Sequence, residues 1–260
     1  WPLPSMASLA HTLALLAMTV ATAATKGVSL DMALDSFDDQ YRDCGPAMTA
    51  ALPALNRSEF QKNPLFAKVW PEASGRWQDR GSPLSPLSSP AQAIAIMAYT
   101  MDGLYKEFNA AVRVAGRSPQ EYRDNFHFKT LHFLLTQALG TLRDREKPKC
   151  RCVFRGVESQ FKAQLGQRVR FGQFASTSLC KDAIHEFGTD TVFKVWTCYG
   201  VEIQKFSKYP NEKEVLVPPF ETFVVTKVTQ KGKNLQIDLN STGTFSNYNC
   251  EWLKGDIMGT

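Results

Sequence analysis

The hydrophobic period of this chain changes near Pro148, and that change limits the folds open to it. Before that point apolar residues recur every three or four positions; after it they alternate. Met32, Leu34, Phe37 and Tyr41, then Met48, Leu52 and Leu55, predict helix across 31–57. A Ser/Pro/Gly loop follows over 74–90, with Pro83, Pro86 and Pro90. From 91 to 115 one stripe carries Ile94, Met97, Ala98, Met101, Leu104, Tyr105 and Phe108. Ser118-Pro119-Gln120-Glu121 then opens a helix, with serine at the N-cap, proline at N1 and an acid three residues on. Its buried face runs through Leu131, Leu134, Leu135, Ala138, Leu139 and Leu142. In the second half, 152–156, 171–179, 191–198, 214–217, 223–229 and 235–239 read as strands rich in Val, Phe and Thr. Helices first and strands second predict an α+β fold, a helical N-terminal half packed on a strand-rich C-terminal half.

Six cysteines allow three readings: an oxidising compartment, a metal site or a nucleophile. The N-terminus bears on the choice. An apolar run from Leu9 to Val20 ends in Ala21-Thr22-Ala23-Ala24, the pattern of a secretory signal peptide over 1–23. It is shorter than the roughly 20 residues of a membrane span. A basic n-region is missing, and a buried N-terminal helix is the competing reading. The last ten residues are polar and mixed, so no lipid-anchor signal is read there. Asn56-Arg57-Ser58 and Asn240-Ser241-Thr242 are N-glycosylation sequons and fit the secretory route. With no linker or repeat in view, 24–260 is expected to be one domain. Net charge is +5 at pH 7, mild and unclustered. It suits an anionic ligand and does not resemble a nucleic-acid footprint.

Three features in the strand half carry chemistry. Arg155 closes a short apolar strand and is followed by Gly156: a planar fork of donors suited to phosphate, beside a backbone a ligand can approach. In Phe174-Ala175-Ser176-Thr177-Ser178, strand alternation puts Ser176 and Ser178 on one face with Phe174. Glu212 and Glu214, read as i and i+2 of one strand, would project from the same face roughly 7 Å apart. Two carboxylates at that range suit stabilising an oxocarbenium ion and orienting a nucleophile. Taken singly, each has an ordinary alternative: an edge arginine, a polar strand face, a solvated acidic loop.

In this order, Arg155, then Ser176-Thr177-Ser178, then Glu212-Lys213-Glu214 resembles the R-S-E signature of the arginine-specific mono-ADP-ribosyltransferases, a vertebrate secreted and surface-anchored family. Further matching stretches are Phe37-Asp38-Asp39-Gln40-Tyr41, Ala98-Tyr99-Thr100, Phe128 to Phe133, Phe206-Ser207-Lys208-Tyr209-Pro210 and Glu214 to Glu221. The resemblance implies transfer of ADP-ribose from NAD, or NADP, to arginine side chains of proteins or to small guanidines, with release of nicotinamide and no metal. It implies that Arg155 holds the diphosphate and Gly156 the carboxamide, with Tyr99 and Phe174 among the aromatic groups of the pocket. Ser176 would orient Glu214, Glu214 would stabilise the cationic ribose, and Glu212 would position the acceptor and help remove its proton. Family members with Gln at the position of Glu212 tend to hydrolyse NAD. Lys213 stands where many relatives carry a small or acidic residue; it is expected to point away from the chemistry.

The same resemblance implies bridges Cys44–Cys250 and Cys150–Cys198. Cys152 and Cys180 remain, as a third bridge or as a pair of free buried thiols. Cys150-x-Cys152 has the wrong spacing for zinc. His127, His132 and His185 suggest no catalytic relay. The expected product is a secreted, monomeric transferase with no transmembrane segment. An NAD glycohydrolase on the same fold and a silent secreted binding protein are the alternatives.

Overall fold

A computed structural model describes residues 27–146, 149–179 and 188–255. The proposed signal segment, Pro148, Cys180 and His185 lie outside these residues.

Among the described residues the first half holds six helices: α1 (Gly45–Lys62), α2 (Pro64–Asp79), α3 (Pro90–Tyr99), α4 (Leu104–Ala115), α5 (Pro119–Asn125) and α6 (Lys129–Arg145). Proline occupies N1 or N2 of α1, α2, α3 and α5, where its missing N–H is no loss. Ser118 caps α5 as its sequence requires, its hydroxyl accepting from Glu121 N at 3.0 Å. The stretch read as one helix from Ser118 onward is two. The chain turns extended at Phe126, and Glu59 of α1 accepts from Lys129 N and Thr130 N. A distant carboxylate therefore caps the start of α6, which no local pattern announces.

The helix expected across 31–57 begins only at Gly45. Residues 31–43 are irregular, and two buried aspartates there bind backbone amides of the 247–251 segment, with Tyr41 N the one amide taken from the segment itself. Asp39 accepts from Tyr41 N, Cys250 N and Glu251 N. Asp38 accepts from Asn247 N and Tyr248 N and pairs with buried Arg170 at 2.6 Å. Beside them the Cys44–Cys250 disulfide joins the same two segments. Phe37 and Tyr41 are still core residues, but Leu34 of the same expected face is exposed, so the helical spacing misread the element and part of its burial.

After Cys150, which is bonded to Cys198, come β2 (Arg151–Val157), β4 (Arg168–Val169), β5 (Ala175–Ser178), β6 (Thr191–Thr197), β7 (Val201–Glu202), β8 (Glu214–Val217), β9 (Glu221–Lys231) and β10 (Asn234–Thr244). They form one sheet in the order β4-β9-β10-β6-β2-β5-β8-β7. A two-stranded piece pairs β1 (Val28–Ser29) with β3 (Phe161–Lys162), and a short helix α7 (Glu251–Lys254) follows the sheet. The strand expected from 171 starts at Ala175. Gly172 turns there at φ 63°, and a Cβ on it would lie 2.3 Å from that of Ala33.

Alternation divides β5 and β8 between two cores. Ala175, Val215 and Val217 pack with Val153, Val195, Phe223 and Ile237. Phe174 and Leu216 join the helical core of Phe37, Phe108, Leu135 and Tyr99. The register sets Ser176 against Leu216 and Ser178 against Glu214. One face of this strand pair is thus apolar at the end under the helices and polar at the other end. That face positions the site.

Candidate active site

Arg155, Gly156, Ser176 and both glutamates line one cavity, together with Phe154, Thr177 and Ser178. It is a small cleft, about 40 Å³, that opens to solvent. Its opening follows from strand pairing. β2 and β5 share the single ladder pair Phe154–Ser178; Arg155 reaches across the gap and donates Nη1–H to the Ser176 carbonyl at 2.7 Å. One donor of the guanidinium fork is spent on fixing the side chain, and the group itself faces the cavity. Burial lowers the Arg155 pKa, while nearby Tyr99 and Glu214 favour its charge.

Ser176 is supported from below. The Tyr99 hydroxyl donates to the Phe174 carbonyl at 3.0 Å and lies 3.3 Å from Ser176 Oγ. Asn109 Nδ2 donates to the same carbonyl and to the tyrosine oxygen. Burial, then the charge of Glu214, pushes the Tyr99 hydroxyl up to about 12, so it stays protonated. Tyr99 and Phe174 are therefore beneath the cavity wall rather than among its lining residues. Asn109 was not anticipated; a buried amide on α4 gives no motif of its own.

Glu214 begins β8 and is 5% exposed. Burial pushes its carboxyl up to about 7, and the neighbouring charge of Glu212 adds to the rise. Hydrogen bonds from Ser176 and Ser207 and the charge of Arg155 pull the other way. The Ser207 contact, Oγ to Oε2, is long at 3.5 Å.

Glu212 reaches the cavity by a different route from the one expected. It does not share a strand with Glu214. It ends a 3-10 turn, Pro210–Glu212, and Lys213 then takes a left-handed conformation at φ 48°. Such a backbone is costly for a side chain with a Cβ and persists where surroundings impose it. Here the turn brings both carboxylates to one cavity without strand alternation. Ser178 Oγ–H donates to the Glu212 carbonyl at 2.8 Å and ties the turn to β5. Lys213 is exposed and outside the lining, placed there by the turn and not by strand alternation.

The other predicted residues are elsewhere. Asn56 lies half-buried on α1, and Asn240 is exposed on β10. Cys152 carries a free thiol among the described cysteines, half-buried and opposite Trp196 on β6; its expected partner Cys180 lies outside the described residues. Both cysteines of the neighbouring bridge are already satisfied by each other, so no described thiol partners it. His132 is buried, accepts from the Tyr41 hydroxyl at Nδ1 and contacts the Phe37 carbonyl through Nε2. Burial lowers its pKa to about 3, so it is neutral and structural. Among the described residues no group of His, Cys, Asp and Glu could hold a metal ion.

A family model described as NAD:arginine ADP-ribosyltransferase matches residues 30–247. The NAD(P)(+)–arginine ADP-ribosyltransferase 2 of Gallus gallus is 51% identical over 231 residues, covering 87% of this chain and 74% of that one. The GPI-linked NAD(P)(+)–arginine ADP-ribosyltransferase 1 of Homo sapiens is 48% identical over 245 residues, covering 87% and 75%. Among solved structures, the mono-ADP-ribosyltransferase ART2.2 superposes with a TM-score of 0.76 at 36% identity, covering 86% of this chain and 98% of that one. A mutant of the same enzyme in complex with NADH gives the same values.

Proposed function

The chain belongs to the NAD:arginine ADP-ribosyltransferase family and moves ADP-ribose from NAD to arginine, and we propose that it does so through Arg155, Ser176, Glu212 and Glu214. The observation that carries these roles is the cavity itself, where a guanidinium and two carboxylates of unequal burial converge.

The residues present fit the dinucleotide. A diphosphate needs a fixed planar donor, and Arg155 is braced on the Ser176 carbonyl. Buried Gly156 leaves backbone as the surface of the wall beside it. NAD supplies a glycosidic bond whose cleavage releases nicotinamide and leaves positive charge on the ribose. Glu214, buried and poorly solvated at the polar end of the strand pair, presents its charge where it is screened least. Ser176 fixes the orientation of that carboxylate and favours its ionised form. Glu212, less buried and beside an exposed loop, is placed to meet an acceptor guanidinium and draw off its proton.

The test supplies labelled NAD with agmatine as a soluble guanidine acceptor. Label on agmatine is expected, at a rate that matches nicotinamide release. Label appearing only as free ADP-ribose would leave hydrolysis as the activity and remove Glu212 from its role.

Residues 24–260 would form one catalytic domain acting as a monomer outside the cell, after loss of 1–23 and with sugar on Asn56 and Asn240. Supporting this are two disulfides, which persist in oxidising compartments, and relatives named as ecto-enzymes or as GPI-linked. Among the described residues no helix is long and apolar enough to cross a membrane.

A further inference from the structure

The loop that delivers Glu212 is gripped from outside the cavity. Phe206 anchors it in the helical core. Immediately after, the Ser207–Lys208 peptide group is held on both sides. Arg80, the residue that ends α2, donates Nη1–H to the Ser207 carbonyl, and Thr100, which ends α3, accepts from Lys208 N at 2.8 Å. Arg80 also donates Nη2–H to the Lys208 carbonyl at 2.8 Å. One step further on, exposed Asp102 accepts from Lys208 Nζ at 2.6 Å and from the Tyr209 hydroxyl at 2.9 Å. The α2 and α3 ends thus fix three consecutive residues, and the 3-10 turn of Glu212 begins at the next one, Pro210.

Ser207 connects this grip to the chemistry. Its hydroxyl accepts from Tyr209 N at 3.1 Å and faces Glu214 Oε2. A loop shifted by the loss of Arg80 would carry Glu212 with it, while Glu214 would keep its place in β8 and its contact with Ser176. Nicotinamide release and capture by the acceptor would then respond differently.

We propose that Arg80, with Thr100 and Asp102, is a positioning clamp on 207–212 that sets how much ADP-ribose reaches arginine rather than water. Arg80 touches neither reacting group; it acts through the loop backbone. The proposal rests on the transferase reading, and the experiment separates the two. Wild-type transfer to agmatine reports that reading by itself, and the ratio of transfer to nicotinamide release, variant against wild type, reports the clamp.

In Arg80→Ala the ratio is expected to fall about three- to tenfold, the scale of losing hydrogen bonds from a charged donor at a partly exposed site. The KM for agmatine should rise, and the KM for NAD should stay, since Arg155 and Ser176 are on other strands. Arg80→Lys, which keeps the charge and one donor group, should recover part of the ratio. Asp102→Asn changes an exposed side chain and is not expected to disturb folding; its ratio should fall about twofold. An unchanged ratio in Arg80→Ala would overturn the proposal. So would a parallel loss of both activities in step with a lowered thermal midpoint. Should Arg80→Ala fold poorly, an unchanged ratio in Asp102→Asn would overturn it equally.

Discussion

Glu214 opens β8 and Glu221 opens β9, and both are buried, at 5% and 0% exposure. Burial raises the pKa of each. Their surroundings then diverge. Glu221 accepts from Thr197 Oγ1 at 2.6 Å, Ser241 Oγ at 2.7 Å, Cys198 N at 2.8 Å and Tyr199 N at 3.2 Å. Glu214 has two serine hydroxyls, one at long range, and a second carboxylate nearby. Glu221 stitches β6, β9 and β10 to the turn after the Cys150–Cys198 bridge. Glu214 has its charge left over and a cavity in front of it. Residue type and depth are alike; how far the hydrogen bonds saturate the carboxylate separates a structural acid from a reactive one.

Exchanging each for glutamine is the most direct way to break that comparison. Glu214→Gln should lower nicotinamide release by about a hundred- to thousandfold, the scale of losing one positioned stabiliser of developing charge. Its thermal midpoint at pH 8 should hold or rise. With a folded pKa near 7, an ionised Glu214 costs stability progressively as pH climbs from its unfolded value through 7, and the amide has no such cost. Glu221→Gln should behave in the opposite way, keeping most activity and losing about 1–3 kcal/mol of stability as buried donors lose their acceptor. Denaturant unfolding alongside the NAD cleavage assay reads both. Equal destabilisation by the two changes would erase the distinction.

The next effect in size concerns Glu212. Glu212→Gln should remove most transfer to agmatine while some NAD hydrolysis continues. It should also move the acid limb of NAD hydrolysis. The charge of Glu212 helps hold the Glu214 pKa up, so its removal should shift the limb from about 7 to lower pH. A pH profile of kcat/KM for nicotinamide release measures this. Full transfer by Glu212→Gln, or a limb moving upward, would remove Glu212 from the site.

What could be read in the sequence divides along the same line. Arg155, Ser176 and Glu214 are strand residues whose neighbours alternate, so a period of two was enough to place the serine face and the glutamate on β5 and β8. Glu212 was assigned to the right cavity by the wrong geometry. A 3-10 turn and one left-handed lysine do the work that alternation was expected to do, and a period-two pattern looks the same in either case. The irregular segment 31–43 is the larger example. Its apolar spacing is helical, but Asp38 and Asp39 bind amides more than two hundred residues away in sequence. Side-chain competition for backbone donors of that range leaves no local trace. Glu59 at the start of α6, Asn109 beneath Ser176 and Arg80 on the acceptor loop share that character. Each acts on backbone that the fold brings to it.

The smallest expected effect falls on Ser176, and it tests the comparison from the side of the hydrogen bonds. Glu221 keeps four donors; Glu214 can lose one of its two and reveal what it contributes. The Ser176 hydroxyl lowers the Glu214 pKa, because a hydrogen bond to a carboxylate favours its charged form. Ser176→Ala should therefore raise that pKa and move the acid limb upward, opposite to Glu212→Gln, by about half a unit to one unit. Activity near pH 6 should fall by more than activity near pH 9, where Glu214 is ionised in both proteins. Tyr99 and Asn109 should hold the Phe174 carbonyl as before, keeping the thermal midpoint close to that of the wild type. In the double variant the two shifts oppose each other, and the limb should return toward 7. A limb that stays in place in Ser176→Ala would mean that the hydroxyl serves Tyr99 alone, and that Glu214 is held by Ser207 and the charge of Arg155.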